Sequence, residues 1–492
     1  MKQLLFFILI IVAAGSLPAQ TPRIIRGVVS DAVSLAPLEG ISIAAKTSHA
    51  LSESQTDGIF TIEITAKDSI LRFSSEEYGD VEVSVAGENS LNVKLSKKTA
   101  VPDGKNNLAA LLPGKWRGTF TIRDGIEVPF NFEVITEGKS LSVLLINGEE
   151  KFPAGTVSII GDSVFIPLPL FDNELAVKAS GSSLTGVLRR QDLRGNATLV
   201  QATKSPYRFI ETGSTPVRDI TGKYDVVFKS LNGKEEKAVG IFEQHGNKLQ
   251  ATFLRITGDS RYLEGVIEDN RIQLSAFIGS GPSFYRATVN NDGSLQGESV
   301  NARGGIPFTA IRNEKAELPD AYTLTTLKDG VTTLPFSFAD TDGQKISNTD
   351  IKFAGKPIIL TIGGTWCPNC MDEAAFLGPW YDKNRNRGIE IVALQYERDT
   401  DPVYVKKVFD RFKKQYKLQY TLLIGGVADK QAVVSSLPAL NNFLSFPTTF
   451  FIDRNGKVQK IHTGFSGPAT GKEYENFIRE FNEEADKLIA AK

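Results

Sequence analysis

The chain has 492 residues, 41% apolar and 23% charged, with 56 basic against 57 acidic residues and a net charge of −1. That length implies several domains, the apolar fraction supports packed cores, and the balanced charge offers no basic stripe, so no nucleic-acid partner is expected. Two cysteines and three histidines make neither a disulfide-stapled scaffold nor a four-ligand zinc site, and no metal or cofactor is expected.

Residues 1–20 read MKQLLFFILIIVAAGSLPAQ, with a positive Lys2, an apolar run from Leu4 to Ala14 and a small residue after Leu17-Pro18. This three-part pattern predicts a secretory signal peptide over residues 1–19. No later stretch approaches the ~18 apolar residues of a membrane helix. The mature chain is therefore expected in the periplasm or at the cell exterior, with no integral membrane segment.

Residues 22–97 alternate short β-like runs with turns. The runs are Ile24–Val29, Ile41–Ala45, Gly58–Ile64, Ile70–Ser74, Val81–Val85 and Leu91–Leu95, separated by Pro37, Asp57-Gly58, Tyr78-Gly79 and Gly87-Glu88-Asn89. Such spacing predicts a small β-sandwich. The order Gly27-Val28-Val29, Pro37-Leu38, Thr56-Asp57-Gly58-Ile59-Phe60, Leu71-Arg72-Phe73, Glu77-Tyr78-Gly79 resembles the carboxypeptidase regulatory-like domain. That resemblance implies a seven-stranded sandwich with a structural or adhesive role. A polar linker follows, from Lys97 to Asn107.

Residues 109–313 are again strand-rich and contain a weak repeat. Gly114-Lys115-Trp116 corresponds to Gly222-Lys223-Tyr224, and Ser183-Leu184-Thr185-Gly186 to Ser294-Leu295-Gln296-Gly297. Two all-β copies are predicted, about 109–205 and 216–313, as paired meanders or as one larger sandwich or barrel. Trp116 and Tyr224 are expected to plug β-cores. A second polar passage covers residues 314–334.

Helical and parallel-strand patterns then appear for the first time. Lys356–Gly363 is a continuous apolar run, as suits a strand covered on both faces. Met371–Arg387 has helical potential, and Glu390–Tyr396 is a second buried strand. Val405, Val408, Phe409, Phe412 and Tyr416 share one helical face. Tyr420–Ile424 and Thr448–Ile452 are strand-like, Asp453-Arg454-Asn455-Gly456 is a hairpin turn, and Lys457–His462 is its return strand. Lys472–Ala491 carries an apolar stripe through Phe477, Phe481, Ala485 and Leu488.

Both cysteines of the chain fall between the first strand and first helix, as Cys367-Pro368-Asn369-Cys370. A bridge across so short a loop constrains little unfolded chain, so redox chemistry explains the pair better than stapling. At a helix start, unpaired N–H groups and the helix dipole favour negative charge, which a nucleophilic thiolate needs. Pro368 fits the first helical position, where its missing N–H has no partner to lose.

Trp366-Cys367-Pro368-Asn369-Cys370, Phe446-Pro447-Thr448-Thr449-Phe450-Phe451-Ile452-Asp453 and Asn455-Gly456-Lys457 resemble the TlpA/ResA group of thioredoxin-like thiol–disulfide oxidoreductases, over residues 333–492. The resemblance implies an α/β thioredoxin-like domain in which Cys367 attacks a substrate disulfide and Cys370 resolves the mixed disulfide. It implies a groove formed by Trp366, Pro368, Phe446 and a cis Pro447, with Phe446 bulkier than is common there. It also implies a disulfide-bearing protein substrate and a membrane electron donor for recycling. Minimal thioredoxins carry a buried acid where this chain has Thr361. Glu397, with Gln395 at the C-terminal end of the second strand, is the candidate for proton transfer; His462 is expected to be structural. The competing readings are a cell-surface binding protein whose β-domains carry the function, and a thiol peroxidase. Peroxiredoxins place a threonine three residues before their cysteine, and here that position is Gly364.

Overall fold

The computed structural model describes residues 22–32, 36–75, 77–95, 111–138, 140–191, 196–210, 213–230, 232–301 and 304–491. The signal-peptide assignment and the linker from Lys97 to Asn107 lie outside the described residues. The chain forms two compact units, divided after Lys105.

Among the described residues the N-terminal unit has seven strands in two sheets, of three and four strands. Alternation drives it: Ile59–Ile64 buries every second residue, and Ile25, Phe60, Phe73 and Val93 share one core. Leu51–Glu53, a strand not expected from the sequence, has only one half-buried residue between two exposed ones. Its short pattern carries no hydrophobic signal.

In the larger unit, residues 111–313 form two nine-stranded antiparallel sheets with the same strand sequence in each. Gly114–Thr121, Glu127–Glu137 and Ser140–Asn147 in the first copy match Gly222–Lys229, Glu235–His245 and Lys248–Arg255 in the second. The second copy closes into a barrel through the pairing of Lys248–Arg255 with Leu263–Glu268. The first copy has no such closing pair among the described residues. Phe277 of the second copy packs edge-on against Phe120 and Phe130 of the first, at 4.7 and 4.8 Å between ring centres, so the two copies share a core. Trp116 and Tyr224 are both fully buried in these cores.

The C-terminal region is a five-stranded sheet flanked by four helices. Strands Ile358–Gly363, Glu390–Glu397 and Thr421–Val427 run parallel. Thr448–Ile452 pairs antiparallel to the first of these, and Val458–Thr463 returns beside it. All six residues of Ile358–Gly363 are buried, because both sheet faces are covered. Helices α1 (Pro368–Asn384), α2 (Pro402–Tyr416) and α4 (Lys472–Ala490) contribute to one apolar cluster. Short α3 (Lys430–Ser436) and a hairpin near Phe336 and Ile346 contribute to the other.

Local chemistry sets the helix ends. Asp401 accepts the Tyr404 N–H at 2.9 Å, with Pro402 in the first turn of α2. Lys417 closes that helix in a left-handed conformation. The helix predicted over 371–387 begins earlier, at Pro368, and ends in a separate 3₁₀ turn at Arg385–Arg387.

The passage at 314–334 does not run free. Tyr322 packs against the His462 ring, the Thr463 hydroxyl donates to that of Thr325, and Leu327 bridges to Leu440. The first β-copy also reaches the helices: Leu170 joins the α1–α2–α4 cluster, and Arg411 pairs with Asp172 at 2.7 Å.

Candidate active site

The site begins with the burial of Ile358–Gly363, which carries the chain to the sheet's C-terminal edge before α1 starts. Cys367 is the N-cap of α1 and Pro368 occupies its first turn. The Cys367 sulfur accepts the Cys370 N–H at 3.3 Å, so an otherwise unpaired helix N–H is directed at it. Its thiol also donates toward the Phe446 carbonyl at 3.6 Å. Both cysteines are free thiols and nearly buried, at 5% and 3% exposure.

The Phe446–Pro447 peptide bond is cis. Thr448 Oγ1 donates to the Ser445 carbonyl at 2.7 Å, and the Gly464 N–H donates to the Pro447 carbonyl at 2.9 Å, which fixes this loop opposite Cys367. Trp366 packs edge-on against Phe446 with ring centres 5.7 Å apart, and its indole N–H donates to the Tyr396 carbonyl at 2.8 Å. The structure thus brings Trp366, Cys367, Pro368, Phe446 and Pro447 to one rim.

Burial pushes the Cys370 thiol well above its ordinary range; contact with Cys367 and the charge of Glu373 act in the same direction. Glu373 was missed in the sequence. It lies on α1 three residues after Cys370, is 4% exposed, and accepts a hydrogen bond from Thr449 Oγ1 at 2.5 Å. Burial raises its carboxyl to about 7, with the Thr449 hydroxyl pulling it back. Thr361 faces Thr449 across paired strands. The buried acid absent from the strand is therefore supplied by the helix. A Cys-x-x-Glu spacing, which places both side chains on one helical face, was the available signal.

Glu397 is fully buried, and its two oxygens accept the Thr365 N–H and hydroxyl, each at 2.9 Å. Burial raises it to about 7, against those two bonds. It thus grips the loop just before Cys367. His462 is buried between Tyr322 and Phe477, and its Nδ1–H donates to the Gly464 carbonyl at 3.1 Å. Burial lowers it to about 4, so it is neutral near pH 7. Among the described residues no His/Cys/Asp/Glu cluster could hold a metal ion, and no helix is long and apolar enough to cross a membrane.

Residues 329–461 match the AhpC/TSA family. The thiol-disulfide oxidoreductase ResA of Bacillus thuringiensis subsp. konkukian is 34% identical over 147 residues, covering 29% of this chain and 73% of that protein. ResA of Bacillus subtilis is 29% identical over 144 residues, covering 29% of this chain and 72% of that protein. Two of the similar solved structures each match about a third of this chain. One is a thiol:disulfide interchange protein of the thioredoxin family from Chlorobium tepidum, with TM-score 0.25 and 20% identity, covering 32% of this chain and 97% of that one. The other is a thiol-disulfide oxidoreductase from Bacteroides fragilis, with TM-score 0.23 and 17% identity, covering 30% of this chain and 99% of that one.

Proposed function

Since its C-terminal domain makes this chain a member of the TlpA/ResA-like thiol-disulfide oxidoreductases, we propose that it reduces protein disulfides outside the cytoplasm. The observation carrying the mechanism is Cys367 at the cap of α1, receiving the Cys370 N–H at 3.3 Å and facing the Phe446 carbonyl.

In the proposed reaction the Cys367 thiolate attacks one sulfur of the substrate disulfide. The substrate S–S bond breaks, a Cys367–substrate disulfide forms, and the released thiolate takes a proton. The Cys370 thiol then gives its proton to a base and attacks the Cys367 sulfur. The second substrate thiolate leaves and is protonated. Two electrons pass to the substrate, and the protein ends with a Cys367–Cys370 disulfide. Glu373 is proposed as that base, since its carboxyl is raised to about 7 and its charge acts on Cys370. Glu397, the sequence candidate for proton transfer, is proposed as a positioning residue acting through Thr365. Trp366, Pro368, Phe446 and Pro447 are proposed to border the substrate groove. A membrane electron donor is proposed to return the Cys367–Cys370 disulfide to the dithiol. The N-terminal β-unit is proposed to be structural or adhesive.

The test is the Cys367–Cys370 reduction potential, measured together with insulin reduction. A reducing potential with activity abolished in Cys367→Ser is expected. A strongly oxidising potential without reductase activity overturns the direction, and peroxide consumption that survives Cys370→Ser favours a peroxidase.

A further inference from the structure

The second β-copy sends the segment 256–261, between its strands Lys248–Arg255 and Leu263–Glu268, across the rim that holds Cys367. Six contacts fix it there. The Thr257 carbonyl accepts from Ser445 Oγ at 3.1 Å, next to Phe446. Gly258, at φ +129°, lies so close to Asn369 that a Cβ would come within 2.1 Å of its Nδ2. Asp259 accepts the Gly467 N–H at 2.6 Å. Arg261 donates to the Pro368 carbonyl at 2.8 Å and pairs with Asp372 of α1. It also pairs at 2.6 Å with Glu150, from the corresponding hairpin of the first copy.

These contacts fall on both sides of Cys367: Pro368 and Asn369 follow it, and Ser445 adjoins the carbonyl it faces. Beside the segment is a cavity of about 180 Å³, lined by Ser260, Arg261, Ser280, Tyr285, Pro368 and Asn369 but not by Cys367. With these contacts made Cys367 is only 5% exposed, so a folded surface needs the segment moved to reach it.

We propose that residues 256–261 form a selectivity strap over the exchange site, latched by Arg261, so that folded disulfide proteins reach Cys367 only when the strap lifts. The proposal rests on the exchange reading above. It gives the duplicated β-region a part in the reaction: both copies supply a hairpin to the same latch, one bringing Glu150 and the other Arg261. Cutting Arg261 loosens it by unpairing Glu150 and Asp372. A larger residue at 258 loosens it from the other end, by steric pressure on Asn369, with the ion pairs intact.

The test uses the full-length reduced protein, free of its signal peptide, and follows oxidation of its dithiol by dithiobis(nitrobenzoic acid) and, separately, by insulin. In Arg261→Ala and in Gly258→Val the insulin rate is expected to rise about tenfold relative to the small-reagent rate, as the strapped population shrinks. In the unaltered protein, Cys367 is expected to react with N-ethylmaleimide about tenfold faster than with a polyethylene-glycol maleimide. This second readout needs no variant to fold. An unchanged rate ratio in the folded variants, or equal labelling by the two maleimides, overturns the strap and leaves the exchange reading standing. Oxidation by neither reagent overturns the exchange reading and the strap with it.

Discussion

Glu373 and Cys370 stand three residues apart on α1, both buried, with the carboxylate held by Thr449 from the neighbouring strand. One helical turn separates the proposed resolving thiol from its proposed base, and this sets the first expectation. Glu373→Gln should slow release of substrate from the Cys367 mixed disulfide by about 10²-fold. In the parent this step should speed up as pH rises through about 7, where Glu373 ionises. In the variant that limb should flatten. Quenched-flow kinetics against pH would read both.

The same carboxyl makes a stability prediction of definite sign. Its folded value, about 7, lies above its ordinary 4.5. The stability it confers is therefore intact below about pH 4.5 and lost as pH rises through 7, by at most about 3 kcal/mol. Glu373→Gln should resist urea better than the parent near pH 8 and gain nothing near pH 4.5.

His462 runs the opposite way. Its folded value, about 4, lies below 6.5. The stability tied to its neutral form is present above pH 6.5 and is lost as pH falls through 4, by at most about 3 kcal/mol. His462→Phe should reduce the difference between urea midpoints at pH 7 and pH 4.

Glu397 holds the chain before Cys367 through Thr365. Thr365→Val should cost about 1–3 kcal/mol, because a buried carboxylate oxygen loses its donor. It should also slow insulin reduction, whereas Thr365→Ser restores both. Glu397→Gln should leave the pH limb near 7 in place; loss of that limb would return proton transfer to Glu397.

Cys370→Ala should retain attack and lose resolution. Mixed disulfides on Cys367 should accumulate in cells and appear as reducible bands on non-reducing gels. Their absence with insulin reduction abolished, and their accumulation on Cys370 in Cys367→Ala instead, would reverse the cysteine roles.

The sequence alone determined the features whose cause is local. A continuous apolar run makes a strand buried on both faces, and Ile358–Gly363 is one. A proline after a capping residue starts a helix, and Cys367-Pro368 does so. Repeated strand order marks a duplication, visible from Trp116 and Tyr224 onward. The tertiary structure decided what depends on residues distant along the chain. Glu373 reads in sequence as an ordinary helix glutamate, and only packing against Thr449 and Cys370 makes it a buried acid. Glu397 lies at the predicted strand end, but its hydrogen bonds direct it to Thr365. Arg261 carries no motif at all. Its meaning comes from Glu150, Pro368 and Asp372, each more than a hundred residues away. Periodicity and capping act over a few residues and leave a trace in local sequence; burial and charge pairing act through space and leave none.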